Sequence, residues 1–290
     1  THATGPRDKR SDMSTIRSAL EEDGYALVPL LSASEVATLR ELGLKHAAVP
    51  LADPFGEKAS ENKMATLNLR VSPGDGIEYA EHVPRLELYG FPELQDLVAS
   101  GRIQALAREV LGADAPADAE LILDSLSLLA APAGYRYRQG FHRDVIGVPD
   151  AAIDTIPAML SPDVFHNSCQ INLPLIDDST FAAVRGSHKR PRTAAEAEAF
   201  AHRPINAAAP LENSMPGGAQ ILIPAGTVML CNNNLIHRGC GPPGGLPVTR
   251  LTLHGGFHIT SSKPTVHFQA VKGGEDSLSL KAAAAAAAEG

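Results

Sequence analysis

From about residue 119 onwards, short apolar runs alternate with clusters of glycine, proline and asparagine, and this pattern constrains the fold more than any other feature. The runs read LILDSLSLLA, INLPLI, QILIPAGTVMLC and RLTLHGGFHI. Runs of this length, separated by turn residues, are typical of antiparallel strands in a sandwich or jelly roll. The 25 glycines and 22 prolines of the 290-residue chain suit many short strands joined by turns. We therefore expect a mainly β core in the second half of the chain.

The residues before this core carry helical patterns. Residues 14–23 predict a short helix that Gly24 ends, because glycine accepts the left-handed conformation of a helix C-cap. A strand is predicted over residues 25–31. Ser32 and Glu35 then form a capping-box signature for a second helix.

The second helix and two later ones follow from apolar spacing. Val36, Leu39 and Leu42 give the second helix one buried face. Residues 93–111 predict another helix with Gly112 as its stop, and RTAAEAEAFAH predicts a helical insertion within the β core. The fold class expected is α+β, mainly β with helical additions. The expected organisation is a flexible leader at 1–13, a single domain at 14–270 (helical part 14–115, core about 119–270) and a low-complexity tail at 271–290.

Composition excludes several classes of partner. A chain with 44% hydrophobic residues can bury one large core. A formal charge of −8 argues against nucleic acid, because binding phosphates needs a basic surface. Neither a bilayer-spanning apolar run nor a signal-peptide pattern is found, so we expect a cytoplasmic protein with no membrane partner. Cys169, Cys231 and Cys240 are too few and too irregular for a disulfide framework or a zinc ribbon.

The chemistry-bearing pattern is His142-Arg143-Asp144, followed far downstream by His237 and Arg250. In a strand, residues i and i+2 point to the same side, so His142 and Asp144 can hold one ion while His237 arrives from a neighbouring strand. Two imidazoles and one carboxylate form the facial triad of non-haem Fe(II) sites, which leaves coordination positions open. Arg250 offers a planar fork that can bind a carboxylate bidentately.

Other interpretations of these residues stay open on the sequence. His142 could be an ordinary hydrogen-bonded histidine, and Arg250 an ordinary strand residue paired with a carboxylate. The triad could serve a metal-binding cupin-like module without turnover, or could hold Zn²⁺ in a hydrolase. Gln170 and Asn172 share one face of a strand and are candidates for a co-substrate contact, or for satisfying buried backbone groups.

Several segments, in order, resemble the phytanoyl-CoA dioxygenase-like (PhyH) family of Fe(II)/2-oxoglutarate-dependent oxygenases. The resemblance covers most of residues 15–260. The segments that carry it are EEDGYALVPLLSASEVATLRE, GRIQALAREVLG, QGFHRDVIG, INLPLIDDSTFAAVRGSHKR with its Gly-Ser-His turn, IPAGTVMLCNNNLIHRGCG and VTRLTLHGGF.

The resemblance implies a double-stranded β-helix (jelly roll, cupin-like) core with N-terminal helices packed on it. It further implies Fe(II) held by His142, Asp144 and His237, with Arg250 on 2-oxoglutarate and with O₂ as the second co-substrate. The expected reaction oxidises, most often hydroxylates, an unactivated C–H bond of a small molecule, in particular a specialised metabolite. 2-Oxoglutarate and O₂ would yield succinate and CO₂. The carboxylate ligand Asp144 favours such oxidation over halogenation.

Two departures from the family pattern and two loops complete the expectations. Arg185 stands where the family usually has proline before Gly-Ser-His, and Gly239 stands where it often has a hydroxyl residue for 2-oxoglutarate. Residues 145–167, directly after the metal-binding strand, are predicted to close over the substrate, and residues 54–90 form a second candidate loop. Arg136 and Arg138, like Arg185, are candidates for recognising an acidic substrate or are solvated arginines. The sequence leaves the oligomeric state open.

Overall fold

The structure is a computed structural model, and it describes residues 10–47, 66–67, 69–70, 86–87, 97, 100–110, 121–131, 133, 141–144, 168–201, 215–239, 241–242 and 246–259. Everything below concerns these residues. The helices are α1 Arg10–Asp23, α2 Ala33–Ala47, α3 Arg102–Val110 and α4 Ala194–Ala201, with a 3-10 turn at Ser187–Lys189. The strands, in chain order, are β1 Tyr25–Pro29, β2 Thr66–Leu67, β3 Leu69–Arg70, β4 Leu86–Glu87, β5 Leu121–Ala131, β6 Ser168–Pro174, β7 Asp178–Val184, β8 Gly218–Ile223, β9 Thr227–Cys231, β10 His237–Gly239 and β11 Arg250–Ile259.

Two antiparallel sheets form the core of the described part of the chain. The larger has the strand order β1-β9-β6-β11-β5-β2, and the smaller has the order β10-β7-β8. A bridge between His142 and His237 adds the segment 141–144 to the free side of β10. After β5 the chain passes back and forth between the two sheets, except that the consecutive strands β7 and β8 pair within the smaller sheet, and this is the topology of a double-stranded β-helix. The predicted jelly-roll core and fold class are confirmed.

The larger sheet has one apolar face and one partly polar face because its strands alternate in side-chain character. On the apolar face, Leu173 and Leu251 are fully buried. This face packs against the N-terminal helices, as predicted. The cluster comprises Leu39, Leu97, Ile103, Leu106, Ala107, Leu128, Cys169, Ile171, Leu173, Leu175, Val228, Leu230, Leu251, Leu253 and Phe257. The opposite face looks towards the smaller sheet, and there β6 and β11 present the polar residues of the candidate site.

The predicted stop signal of the first helix and the predicted start signal of the second are confirmed. α1 ends at Asp23, and Gly24 has φ 85 while its N–H donates to the Leu20 carbonyl at 3.0 Å. The capping box closes in both directions, with Ser32 N donating to Glu35 Oε2 at 2.7 Å and Glu35 N donating to Ser32 Oγ at 3.3 Å. A hydrogen bond from Arg102 and those from Ser32 lower the pKa of Glu35 to about 2.

Some predicted boundaries differ from the structure. The single helix expected over residues 93–111 is wrong, because Gly101 has φ 68 and the chain restarts as a helix at Arg102. β1 ends at Pro29 rather than at residue 31, and α1 begins at Arg10 rather than at residue 14. The helical insertion is confirmed as α4. Its N-terminus has a capping pair of its own, in which Thr193 N donates to Glu196 Oε2 at 2.7 Å.

Several predictions lie outside the described residues. These are the loop 145–167, most of 54–90, Arg136, Arg138, Cys240, residues 1–9 and the tail 271–290. The proposed division into leader, domain and tail stays a prediction. None of the helices in the described part of the chain is both long enough and apolar enough to cross a bilayer.

Candidate metal centre

The three predicted metal ligands are brought together by strand β10 and by the segment 141–144, which is bridged to it. His142 and His237 face each other across an antiparallel bridge in which each N–H donates to the other's carbonyl at 2.9 Å. Asp144 is fixed by its own N–H, which donates to the Asn233 carbonyl at 2.8 Å. The register therefore places both imidazoles and the carboxylate on one side of this sheet edge.

The side chains of these residues converge. Each of His142, Asp144 and His237 offers one ligand atom, and these atoms lie within 4.8 Å of one another. Nε2 of His142 lies 3.4 Å from Asp144 Oδ1, and Nε2 of His237 lies 3.2 Å from Oδ2. Burial alone would raise the pKa of Asp144, but the two histidines hold it well below its ordinary value. The centre thus combines a carboxylate anion with two imidazole nitrogens, a donor set that suits a divalent transition metal.

His237 is oriented by groups that do not belong to the triad. Its Nδ1 lies 2.9 Å from the Leu235 carbonyl, which can only accept, so Nδ1 carries the proton. In the neutral ring, Nε2 is then the nitrogen with the lone pair, and it lies on the side that faces Asp144. The Phe181 ring stacks on the imidazole at a centroid distance of 5.2 Å. This tautomer and this ring orientation are those that a metal ligand requires.

The Gly-Ser-His turn at residues 186–188 makes hydrogen bonds to the segments that carry His142, Asp144 and His237. Gly186 has φ 68, and the 3-10 turn follows it directly. Ser187 Oγ accepts from Ile236 N at 2.9 Å, next to the distal histidine. Arg143, which stands between His142 and Asp144 in the sequence, donates through Nη2 to the carbonyls of Ser187 at 3.3 Å and Arg190 at 3.1 Å. One turn thereby contacts both segments, and the motif has a structural role.

Gln170 and Asn172 lie beside the triad, on the polar face of β6. Gln170 Nε2 donates to Asp144 Oδ2 at 2.5 Å, and Asn172 Nδ2 donates to Gln170 Oε1 at 2.9 Å. Cys231, opposite Gln170 on β9, also donates to Oε1, at 3.3 Å. Cys169 and Cys231 are both buried and in the thiol form.

Arg250 is buried at the start of β11, where its Nε donates to Asp178 Oδ2 at 2.7 Å. Thr252 donates to the same oxygen at 2.7 Å, and Thr180 donates to Oδ1 through its hydroxyl at 2.6 Å and its N–H at 2.8 Å. Although burial opposes ionisation, Arg250 and the two threonines keep the pKa of Asp178 below its ordinary value. Asp178 was not predicted from the sequence. Its signal was the matched spacing of Asp178 with Thr180 and of Arg250 with Thr252, each pair on one strand face.

His254 is a second residue that the sequence analysis missed. It lies opposite Asn172 on β6 and Ser127 on β5, on the same face of β11 as Arg250. Burial lowers its pKa to about 4, Asp144 acts in the opposite direction, and Arg250 lowers it further. The imidazole is therefore within electrostatic reach of both Asp144 and Arg250, which links the triad to the arginine. A histidine in the period-2 pattern of β11 was the available signal.

The two departures from the family pattern have plain structural outcomes. Arg185 is two-thirds exposed, donates to the Tyr25 hydroxyl at 3.0 Å and lies 3.5 Å from Asp23. It is thus a paired surface arginine. Gly239 lies on β10 opposite Phe181 and brings no side chain to the centre.

Comparison with known proteins identifies the fold. Neither a protein-family model nor a curated protein sequence matches this chain. Solved structures do match. HygX from Streptomyces hygroscopicus, with nickel and 2-oxoglutarate bound, is 16% identical over 87% of this chain and 88% of its own, with a TM-score of 0.54. EctD from S. alaskensis, with 2-oxoglutarate and 5-hydroxyectoine, is 18% identical over 94% and 84%, with a TM-score of 0.52. SnoN, a non-haem α-ketoglutarate-dependent epimerase from nogalamycin biosynthesis, is 18% identical over 86% and 84%, with a TM-score of 0.51. At these identities the likeness establishes a shared fold.

Proposed function

We propose that this protein is an Fe(II)/2-oxoglutarate-dependent oxygenase. The observation that carries the proposal is the convergence of His142, Asp144 and His237 within 4.8 Å in a double-stranded β-helix. Two imidazole nitrogens and one carboxylate on one side of an ion leave the other side open for co-substrates. The fold is shared with HygX, EctD and SnoN, whose structures or names carry 2-oxoglutarate or its synonym α-ketoglutarate.

The donor set fits Fe(II). Because Nδ1–H of His237 donates to the Leu235 carbonyl, the neutral ring offers its Nε2 lone pair to a metal, and the lowered pKa of Asp144 makes its carboxylate an anionic donor. Bound there, Fe(II) with 2-oxoglutarate supplies O₂-dependent oxidation of a substrate C–H bond, with succinate and CO₂ as co-products. The chain's own contribution is to fix three donors and to keep their remaining hydrogen-bonding atoms occupied.

Arg250 is the residue proposed to bind the distal carboxylate of 2-oxoglutarate. Its Nε donates to Asp178, so the guanidinium plane is fixed and the Nη edge is the edge that would meet a ligand carboxylate. Its burial strengthens such a pairing, since little water competes for the charge. His254, whose pKa is about 4, stays neutral at pH 7 and adds no competing positive charge between Arg250 and the triad.

The finer reaction that we propose is hydroxylation of a small molecule, in particular a specialised metabolite, at an unactivated C–H bond. Two considerations support it. Asp144 supplies the carboxylate that hydroxylating sites keep and halogenating ones lack. EctD was crystallised with a hydroxylated small molecule, 5-hydroxyectoine. SnoN is an epimerase from nogalamycin biosynthesis, so inversion of a substrate C–H stereocentre, which leaves the oxidation state of the substrate unchanged, is a second candidate reaction.

Anaerobic reconstitution tests the class directly. Adding 2-oxoglutarate to the Fe(II)-loaded protein should produce the weak visible charge-transfer band of the chelate, and admitting O₂ should release succinate. The His237→Ala variant should give neither signal. A protein that binds metal but never binds 2-oxoglutarate would be a metal-binding module, and activity that persists without O₂ would indicate a hydrolase.

A further inference from the structure

The side-chain amide of Gln170 makes the shortest polar contact of the Asp144 carboxylate. Its Nε2 donates to Oδ2 at 2.5 Å, whereas the nearest histidine nitrogens lie 3.2 and 3.4 Å from the two carboxylate oxygens. Gln170 is 2% exposed, so water hardly competes for this bond. A hydrogen bond to an anion is stronger than one between neutral groups, and burial strengthens it further. The amide therefore sets the direction in which the carboxylate faces.

The amide is itself held in one orientation. Its Oε1 accepts from Asn172 Nδ2 at 2.9 Å and from Cys231 Sγ at 3.3 Å. Both donors follow from strand register, because Asn172 is two residues along β6 and Cys231 is directly opposite on β9. Burial and the nearby Asp144 raise the pKa of the Cys231 thiol, so it keeps its proton and remains a donor. A flipped amide would lose both bonds and turn Oε1 towards an anionic oxygen.

We infer that Gln170 is a positioning residue for Asp144, which it holds by Oδ2 so that Oδ1 is the oxygen presented to the metal. The inference rests on the proposed metal site, and it gives Gln170 and Asn172 a role different from the predicted contact with 2-oxoglutarate. Asn172 and Cys231 act one step further out, on the amide. Partners of this kind, which orient a metal ligand without touching the metal, typically change metal affinity by about 10–100-fold when they are removed.

Co(II) is the probe for this role, because it reports affinity and ligand geometry without turnover. The apo-protein and its variants are titrated with Co(II) under argon, and the visible d–d absorption is recorded. Gln170→Met keeps an unbranched side chain but removes the donor, and it should weaken Co(II) binding by about 10–100-fold and shift the spectrum. Asn172→Leu keeps the Gln170 amide but removes one of the donors that orient it, so it should weaken Co(II) binding less and shift the spectrum less.

The matched control is Gln220→Leu. Gln220 is an exposed glutamine on β8 whose amide donates to the backbone carbonyl of Ser179, so its loss should leave affinity and spectrum at the wild-type values. Circular dichroism and urea unfolding establish that each variant is folded. If Gln170→Met does not fold, Asn172→Leu decides the question, since an unchanged Co(II) affinity and spectrum there would overturn the role.

Two further outcomes separate this inference from the proposed function. Folded Gln170→Met with wild-type Co(II) affinity but weakened 2-oxoglutarate binding would make Gln170 a co-substrate contact and overturn the positioning role. Wild-type protein that binds Co(II) no better than His237→Ala would instead refute the metal site itself.

Discussion

Asp144 and Asp178 are two carboxylates in the same double-stranded β-helix. Their surroundings differ, and the difference indicates a metal-binding role for Asp144 and a structural role for Asp178. The Asp178 side chain is 1% exposed and accepts four hydrogen bonds, from Arg250, Thr252 and twice from Thr180. The Asp144 side chain is 17% exposed and has one short donor, Gln170, with two imidazoles beyond 3 Å. The first carboxylate is paired with a fixed cation, whereas the second faces two imidazole nitrogens that can bind a metal ion together with it.

Charge balance sharpens this difference. Both carboxylates have a lowered pKa despite their burial, Asp178 chiefly through Arg250 and Asp144 through its histidines. A guanidinium is charged at every accessible pH, so the Asp178 pair is complete by itself. Asp144 has no permanently charged partner among its described contacts, which are the two imidazoles and the Gln170 amide, so its charge can be balanced by a bound cation. The comparison indicates that the triad can bind a metal cation, whereas the charge of Asp178 is already balanced by Arg250.

The largest expected effect is on metal binding at the Asp144 carboxylate. Asp144→Ala, like His142→Ala or His237→Ala, should abolish stoichiometric Fe(II) binding and turnover, because it removes one of three donors and the facial geometry. Metal analysis after anaerobic loading and desalting measures this. Asp178→Asn, although less stable, should still bind the ion wherever it is folded. Any triad variant with full iron content and full activity would remove that residue from the ligand set.

Stability should respond in the opposite way. Asp178→Asn leaves the Arg250 charge buried without its ion-pair partner, and losing one partner of such a pair costs about 3–5 kcal/mol of the unfolding free energy. Asp144→Asn removes an anion that has no permanently charged partner and keeps an oxygen for Gln170, so it should cost less than about 1 kcal/mol. Urea unfolding of the two apo-proteins gives both values. Equal losses would show that the two carboxylates do not differ as described.

The titration of His254 tests whether the region between the triad and the Asp178 cluster is buried. Its folded pKa of about 4 lies below the ordinary value, so between these pH values the unfolded chain binds a proton that the folded chain excludes. Its contribution to stability is present above about pH 6.5 and is lost as the pH falls towards 4. The apo-protein should lose on the order of 2 kcal/mol from this group between pH 7 and pH 5.

The matched variant for this test is His254→Asn, which cannot titrate in this range. Its urea-unfolding free energy should change less between pH 7 and pH 5 than that of the wild type. An identical pH dependence in the two proteins would mean that His254 titrates normally and lies in water rather than between the two clusters.

The sequence predicted much of this arrangement because short-range periodicity determines it. The i, i+2 spacing of His142 and Asp144, the capping box at Ser32 and the Gly24 stop are local signals, and the structure has each of them in place. The apolar runs indicated the strands but not their pairing. That Asp178 meets Arg250, or that Gln170 meets Asp144, depends on a register between strands far apart in the chain. Such long-range partners leave no local pattern, which is why the contact between Gln170 and Asp144 was not predicted.

The smallest expected effect concerns Arg250, whose guanidinium pairs with Asp178 and is proposed to bind 2-oxoglutarate as well. Arg250→Lys keeps a positive charge for Asp178 but loses the planar fork, so it preserves the ion pair better than it preserves a bidentate ligand contact. We expect 2-oxoglutarate binding to weaken by at least about tenfold, which corresponds to roughly 1.4 kcal/mol, with Fe(II) affinity nearly unchanged. Titration of the co-substrate into the iron-loaded variant, followed by the charge-transfer band, measures this. Equal 2-oxoglutarate affinity in variant and wild type would make Arg250 purely the partner of Asp178, and both members of that cluster would then be structural.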